Sequence, residues 1–348
     1  MLLRKVLLIF ALFFILTSYF LIPVNAVDLS RPNNKFGIHL AVPDREDLIK
    51  AAELVNSSGG KWGYVTLVIQ ENDRDKKKWQ GVFDQMRKLK LIPIIRLATQ
   101  PQGGNWEAPS VDDIGGWIDF LQSLNWVVKD RYIILFNEPN HATEWGGAID
   151  PEGYTKVSFE FAKRLKEKNK DYFIMLAGFD ASAPSAAPNY EDEETFLKKM
   201  FKSEIRASPR SFDGATRRMT GSCFEFLIDG WISHSYPNPG FKGGPYDRGR
   251  GTVSTYDWEL SYLYSLGIQK KLPVFITETG WPRNEINNSN SVGENINAAY
   301  ESLWTYDERV RAVTPFILNY QTDPFLGFSW KKQNSEEYYD QFELSKNI

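Results

Sequence analysis

Tyr132-Ile133-Ile134-Leu135-Phe136-Asn137-Glu138-Pro139-Asn140-His141 is the stretch on which the fold turns. It begins as a short, β-rich apolar run of the kind that suits a strand buried on both faces. It then breaks at once into Asn-Glu-Pro-Asn. Such a strand hands an amide and a carboxylate to the point where it ends, and a carboxylate there is costly unless it is paired or solvated. Read alone, Glu138 could simply open a turn, since Asn and Pro favour turns. The chain on either side gives it a context.

Upstream, strands are predicted over 36–40, 64–69 and 91–97, the last with Pro93 near its start, where proline is tolerated. Asp44 caps a predicted helix running to about Ser57, with Leu48, Ala51, Ala52 and Val55 on one face. Further helices are predicted over 77–90 and 111–124, the second with Trp117, Phe120 and Leu121 inward. Downstream, helices fall at 151–168, 193–203, 254–266 and 293–310, and strands at 172–176, 231–236, 272–278 and 313–320. Residues 206–221, rich in Gly, Ser and Arg, read as an exposed insertion. Strands alternating with helices argue for a parallel sheet with helical crossovers. The expected fold is α/β, a single (β/α)8 TIM barrel over residues 27–348, with an open doubly wound sheet as the alternative.

The chain has 348 residues, 42% of them hydrophobic and 14% aromatic, enough for a large core. A net charge of −3 carries no basic footprint for nucleic acid. Arg4 and Lys5 precede an apolar run over 6–22, and Val24-Asn25-Ala26 follows. Residues 1–26 therefore read as a secretory signal cleaved after Ala26, or as a membrane anchor that is retained. The expected location is secreted or extracytoplasmic. Cys223 is the one cysteine, so no intramolecular disulfide forms, and a core or half-buried thiol is expected there. A monomer is expected. His39, His141 and His234 are scattered, with no metal-ligand spacing, and neither a dinucleotide fingerprint nor a P-loop follows a strand, so no metal or cofactor is expected. Asn56-Ser57-Ser58 and Asn287-Asn288-Ser289 match a glycosylation sequon, relevant only in a host with the machinery.

In a barrel, side chains at strand C-termini share one mouth, where chemistry is done. Arg96 ends the third predicted strand, Asn137 and Glu138 the fourth, His234 and Tyr236 the sixth, and Glu278 the seventh. His39 lies near the end of the first. Two glutamates at one mouth can divide acid and nucleophile roles. Strands four and seven face each other across eight, so the two carboxylates can converge.

Asn137-Glu138-Pro139 and Thr277-Glu278-Thr279-Gly280-Trp281 resemble the paired motifs of the clan A retaining glycoside hydrolases, a superfamily that includes cellulases, mannanases, xylanases and β-glucosidases. The resemblance spans residues 36–330 and does not single out one family. It implies Glu138 as general acid/base and Glu278 as nucleophile. Asn137 would hold the sugar 2-hydroxyl, and Tyr236 would hydrogen-bond the nucleophile. His234 would orient the carboxylates or a hydroxyl. Arg96 would keep Glu278 ionised, although clan members often carry that arginine on strand two. Trp106, Trp145 and Trp281 fall in the loops after strands three, four and seven, where a flat face can stack on a pyranose. Trp330 is the nearest match to the clan's strand-eight tryptophan. Trp117 and Trp304, on predicted helices, read as core. The expected activity is hydrolysis of a β-linked oligo- or polysaccharide. A non-catalytic carbohydrate-binding barrel at the cell surface and a transglycosylase are the alternatives. Long loops after strands five and six suggest a cleft for more than a monosaccharide.

Overall fold

The computed structural model describes residues 34–207, 224–284 and 288–347. The signal segment, Cys223, most of the predicted insertion and Asn287 of the second sequon lie outside them. Among the described residues no helix is long and apolar enough to cross a membrane.

Eight parallel strands alternate with helices: β1 (Gly37–Leu40), β2 (Gly63–Gln70), β3 (Leu91–Ala98), β4 (Arg131–Leu135), β5 (Tyr172–Leu176), β6 (Trp231–His234), β7 (Val274–Glu278) and β8 (Val310–Val313). Strands β1 to β5 form one hydrogen-bonded arc and β6 to β8 another. Isolated parallel bridges join the arcs, Met175 to Gly230 and Asp180 to His234 on one side and Phe36 to Val313 on the other. The ring is closed, and the expected barrel is what the chain builds.

The crossovers follow their local signals. Asp44 caps α1 (Arg45–Val55) by accepting from the Asp47 N–H, and Asp75 caps α2 (Lys76–Leu89) through the Lys78 N–H. α3 (Ile114–Ser123) buries Trp117, Phe120 and Leu121. α4 (Pro151–Lys168) starts with proline at its first turn, behind an Asp150 cap. α5 (Glu193–Ala207), α6 (Thr255–Ser265) and α7 (Ser289–Ala299) complete the outer ring.

The predicted eighth strand is misplaced. β8 ends at Val313, and the helix before it stops well short of Val310. Val310 pairs with Val274, and Pro315, which has no N–H to offer a ladder, follows two residues after the strand ends. Residues 314–318 run on irregularly between β7 and β1: the Thr314 N–H donates to the Ile276 carbonyl, the His39 N–H to the Pro315 carbonyl and the Leu318 N–H to the His39 carbonyl.

Strand alternation sorts side chains inward and outward. Tyr64, Tyr132, Phe173 and Phe275, from four strands, meet in one inner layer, with ring centroids 5.0–6.2 Å apart. Above them the buried Thr66 and Thr314 hydroxyls hydrogen-bond at 2.9 Å. The register pairs Val68 with Arg96 and Arg96 with Ile134, so continuing the alternation brings Arg96 into the barrel at the C-terminal end.

Candidate active site

The end of β4 leaves the strand sharply. Phe136 has φ 74° and Glu138 φ 29°, left-handed conformations that side chains other than glycine rarely adopt. The Glu138 N–H donates to the Gly178 carbonyl after β5 at 3.0 Å, which fixes the turn to the neighbouring strand. Glu138 is thereby aimed across the mouth. Its Oε1 lies 2.7 Å from His234 Nδ1 at the end of β6, and the same nitrogen is 3.9 Å from Glu278 Oε2 at the end of β7. One ligand atom from each of Glu138, His234 and Glu278 can be chosen so that all lie within 4.8 Å of one another.

Glu278 is held by a second set of donors. Arg96 Nη1 donates to its Oε1 at 2.8 Å, and the Tyr236 hydroxyl donates to its Oε2 at 3.2 Å. The same Arg96 nitrogen donates to Asn137 Oδ1 at 2.5 Å. Burial alone would raise the Glu278 pKa, but His234 and Arg96 outweigh it and hold the carboxyl below its ordinary value. Burial works against a charged His234 in turn, and the Glu278 and Glu138 carboxylates overcome it, so the imidazole is held above its usual range. Burial pushes the Tyr236 phenol well up, and the two carboxylates reinforce it, so it stays a donor.

Among the described residues, Glu138, His234 and Glu278 are the one group with spacing a metal ion could use. Arg96 already neutralises Glu278, and His234 is engaged with Glu138, so these atoms serve an internal network first.

His39 is buried beneath Phe316, the ring centroids 5.1 Å apart, and neither ring nitrogen has a hydrogen-bond partner among the described residues. Burial drives its pKa to about 3, so the ring is neutral.

The tryptophans divide. Trp106 stays half-buried and lines a recess with Arg96 and Asn137. The other three are covered, contrary to the expectation of stacking faces. Trp145 packs edge-on against Phe136 and Tyr154. Trp281 is 2% exposed, and its indole N–H donates to the Gly243 carbonyl, tying the loop after β7 to that after β6. Trp330 sits in the core beside Phe36, Leu54, Val55 and Tyr300, in the wall rather than at the mouth. The aromatic that follows β8 into the mouth is Phe316, packed against Phe325 and Phe328, with Tyr236 and Phe241 alongside. Trp117 and Trp304 are core, as expected.

Sequence reading missed four further residues. His141 Nε2 hydrogen-bonds Asp180 at 3.0 Å, with its Nδ1 4.0 Å from Glu138 Oε2. Burial disfavours the His141 charge, but Asp180 and Glu138 prevail and raise its pKa. Glu144 Oε2 accepts from Asn137 Nδ2 at 3.2 Å. Gly178 makes room for His234: a Cβ there would stand 2.3 Å from its Cδ2 and 2.4 Å from its Nε2. The Asn137-to-Glu144 spacing was visible in the sequence; the Asp180 and Gly178 contacts exist only once β5 lies beside β4 and β6. Gly178→Ala is expected to cost about 1–3 kcal/mol in chemical denaturation, because the His234 ring is buried and cannot retreat freely. An unchanged midpoint would mean the ring has room to move.

No protein-family model matches the chain, and no curated protein matches it in sequence. Solved structures do. The chain is similar to a monomeric β-xylosidase from Caulobacter crescentus CB15, with TM-score 0.56 at 14% identity over 92% of this chain and 70% of that one. A thermostable GH51 α-L-arabinofuranosidase from Thermotoga petrophila RKU-1 matches with TM-score 0.55 at 11% identity over 93% and 71%. An endo-β-1,4-glucanase from Xanthomonas axonopodis pv. citri matches with TM-score 0.54 at 12% identity over 90% and 98%. At these identities the likeness concerns architecture, and in architecture the chain is similar to (β/α)8 barrel glycosidases.

Proposed function

We propose that this chain is an exported retaining glycoside hydrolase that cleaves a β-linked glycan by double displacement. The observation that carries the reading is the gap between two carboxylates: oxygens of Glu138 and Glu278 fall within 4.8 Å of each other. Retaining enzymes set the pair about 5–5.5 Å apart, whereas inverting ones leave about 6.5–9.5 Å for a water.

The donors divide the roles. Glu278, held as a carboxylate by Arg96 and Tyr236, is the nucleophile. Its oxygen bonds to the anomeric carbon while the glycosidic C–O bond breaks, and Glu138 gives its proton to the leaving oxygen. Glu138 then takes a proton from water, the water oxygen attacks the same carbon, and Glu278 departs as carboxylate. His234 bridges the two groups and keeps them in register. Asn137, fixed on both sides by Arg96 and Glu144, is placed to meet the sugar 2-hydroxyl. Residues 1–26 direct export, as a cleaved signal or a retained anchor.

The test is stereochemical. Aryl β-glycosides and β-linked oligosaccharides are offered to the full chain, and NMR follows the first-formed reducing sugar. The β-anomer is expected first. First appearance of the α-anomer would refute double displacement. Absence of turnover across a broad panel would refute hydrolysis.

A further inference from the structure

Glu138 is flanked by two imidazoles. His234 Nδ1 sits 2.7 Å from its Oε1, and His141 Nδ1 faces its Oε2 at 4.0 Å. The second imidazole is built into its place. The His141 backbone N–H donates to the Glu138 carbonyl at 2.8 Å, so the two residues share one turn. His141 Nε2 lies 3.0 Å from Asp180 Oδ2, in the loop after β5. Asp180 is fixed in turn. Its Oδ1 accepts from the Ser182 N–H at 2.8 Å, and its own N–H donates to Asn140 Oδ1 at 3.3 Å. The buried Asn140 donates from Nδ2 to the Asp180 carbonyl at 3.0 Å. Tyr190 stands edge-on to the His141 ring, the centroids 4.9 Å apart. The His141 and Glu138 side chains are 19% and 17% exposed, so solvent screens the charge between them only in part.

We propose that His141, tethered by Asp180, is a positioning residue for Glu138, its imidazolium stabilising the carboxylate that Glu138 becomes as its proton passes to the leaving oxygen. The inference rests on the glycosidase reading above and adds a residue pair to its acid step. His234 engages Glu138 Oε1, which leaves Oε2, the oxygen facing His141, to carry the proton. When that O–H bond breaks, the proton goes to the glycosidic oxygen and the electron pair stays on Glu138. The attraction to His141 is weak while Glu138 is neutral and full once it is charged. It therefore favours the transition state over the ground state. The groups around the ring keep it charged. Burial works against the His141 charge, but Asp180 from the loop after β5, with Glu138 and Glu144 from the loop after β4, outweighs it and raises the pKa. Burial likewise opposes an ionised Asp180, and His141 and the Ser182 N–H hold that carboxyl below its ordinary value.

The experiment compares wild type, His141→Gln and Asp180→Asn on two aryl β-glycosides of one sugar. The phenyl glycoside has a leaving group that needs the proton, and the dinitrophenyl glycoside has one that does not. The readout is the phenyl-to-dinitrophenyl ratio of kcat/KM, which a merely structural loss would not move. At about pH 7 the ratio should fall about tenfold in both variants. Asp180→Asn keeps an oxygen for His141 Nε2, so the ring stays in place while its charge is lost. At about pH 5 that ring is charged again, so Asp180→Asn should return to within about twofold of the wild-type ratio, whereas His141→Gln should not. Equal losses on both substrates, a ratio unchanged in either variant, or a deficit in Asp180→Asn that persists at the lower pH would each overturn the proposal. If no glycoside is turned over, the hydrolase reading fails on its own, and NMR titration of the full chain decides the contact. The His141 resonance is assigned by its absence in His141→Gln. It should titrate above the ordinary histidine value in wild type, and lower in Glu138→Gln and in Asp180→Asn. A His141 titration that Glu138→Gln leaves unmoved would overturn the proposal.

Discussion

Glu278→Ala is expected to lower kcat by about four orders of magnitude or more, on the scale seen when a nucleophile is removed from a site whose parts act as a unit. That loss corresponds to about 5.5 kcal/mol of barrier. Among the described residues nothing else at the mouth can replace it: Glu138 is committed to His234, and Glu144 lies beyond Asn137. Tyr236 loses its acceptor in the variant and Arg96 keeps only Asn137, but the strand that carries residue 278 is paired on both sides, so the fold should survive and circular dichroism should not change. A small external anion such as azide should restore part of the rate. It would attack the anomeric carbon from the vacated side, and the product would be the inverted glycosyl azide. Glu138→Ala should behave differently, sparing aryl glycosides whose leaving group needs no proton and losing alkyl ones. Full activity in Glu278→Ala would remove it from the mechanism.

Arg96→Met should reduce kcat/KM by about 10²–10³, the scale of losing one preorganised electrostatic contact. Its guanidinium serves Glu278 and Asn137 through a single nitrogen, so both lose a partner together. The pH dependence identifies which loss matters. Burial raises the Glu278 pKa, and His234 and Arg96 pull it down to a net depression. Removing one of the two leaves burial less opposed, so the pKa rises. Activity that requires the ionised carboxylate is lost as pH falls through that pKa. The acidic limb of kcat/KM should therefore move to higher pH in Arg96→Met, while the alkaline limb stays. A lower rate with an unmoved acidic limb would show that Arg96 acts through Asn137 alone.

What the sequence made legible was what short range determines. The apolar run before Asn137, the Asp44 cap of α1 and the alternation of apolar periods placed most elements within a few residues. The two glutamates were legible because each sits where a buried strand breaks. The eighth strand was expected three residues late, because residues 313–320 carry the apolar character of a strand while its start is set by pairing with Val274, a contact invisible locally. Phe316 was hidden inside that apolar run, and Trp330 matched the expected residue type without its position. The three covered tryptophans show a related limit: position in a loop does not say which way a ring faces, and Trp145 and Trp281 are drawn inward by Tyr154 and by the Gly243 carbonyl.

The closure of the ring carries a mechanical consequence. Glu138 rides on the five-stranded arc and Glu278 on the three-stranded one, and isolated bridges rather than a continuous ladder join the arcs. The distance across the reactive centre is thus set by how two stiff half-shells seat against each other, not by either shell alone. Within the strands of the ring, amide exchange should be fastest along the two seams, between β5 and β6 and where Phe36 meets Val313, and loosening either seam will widen the bite before it unfolds a strand.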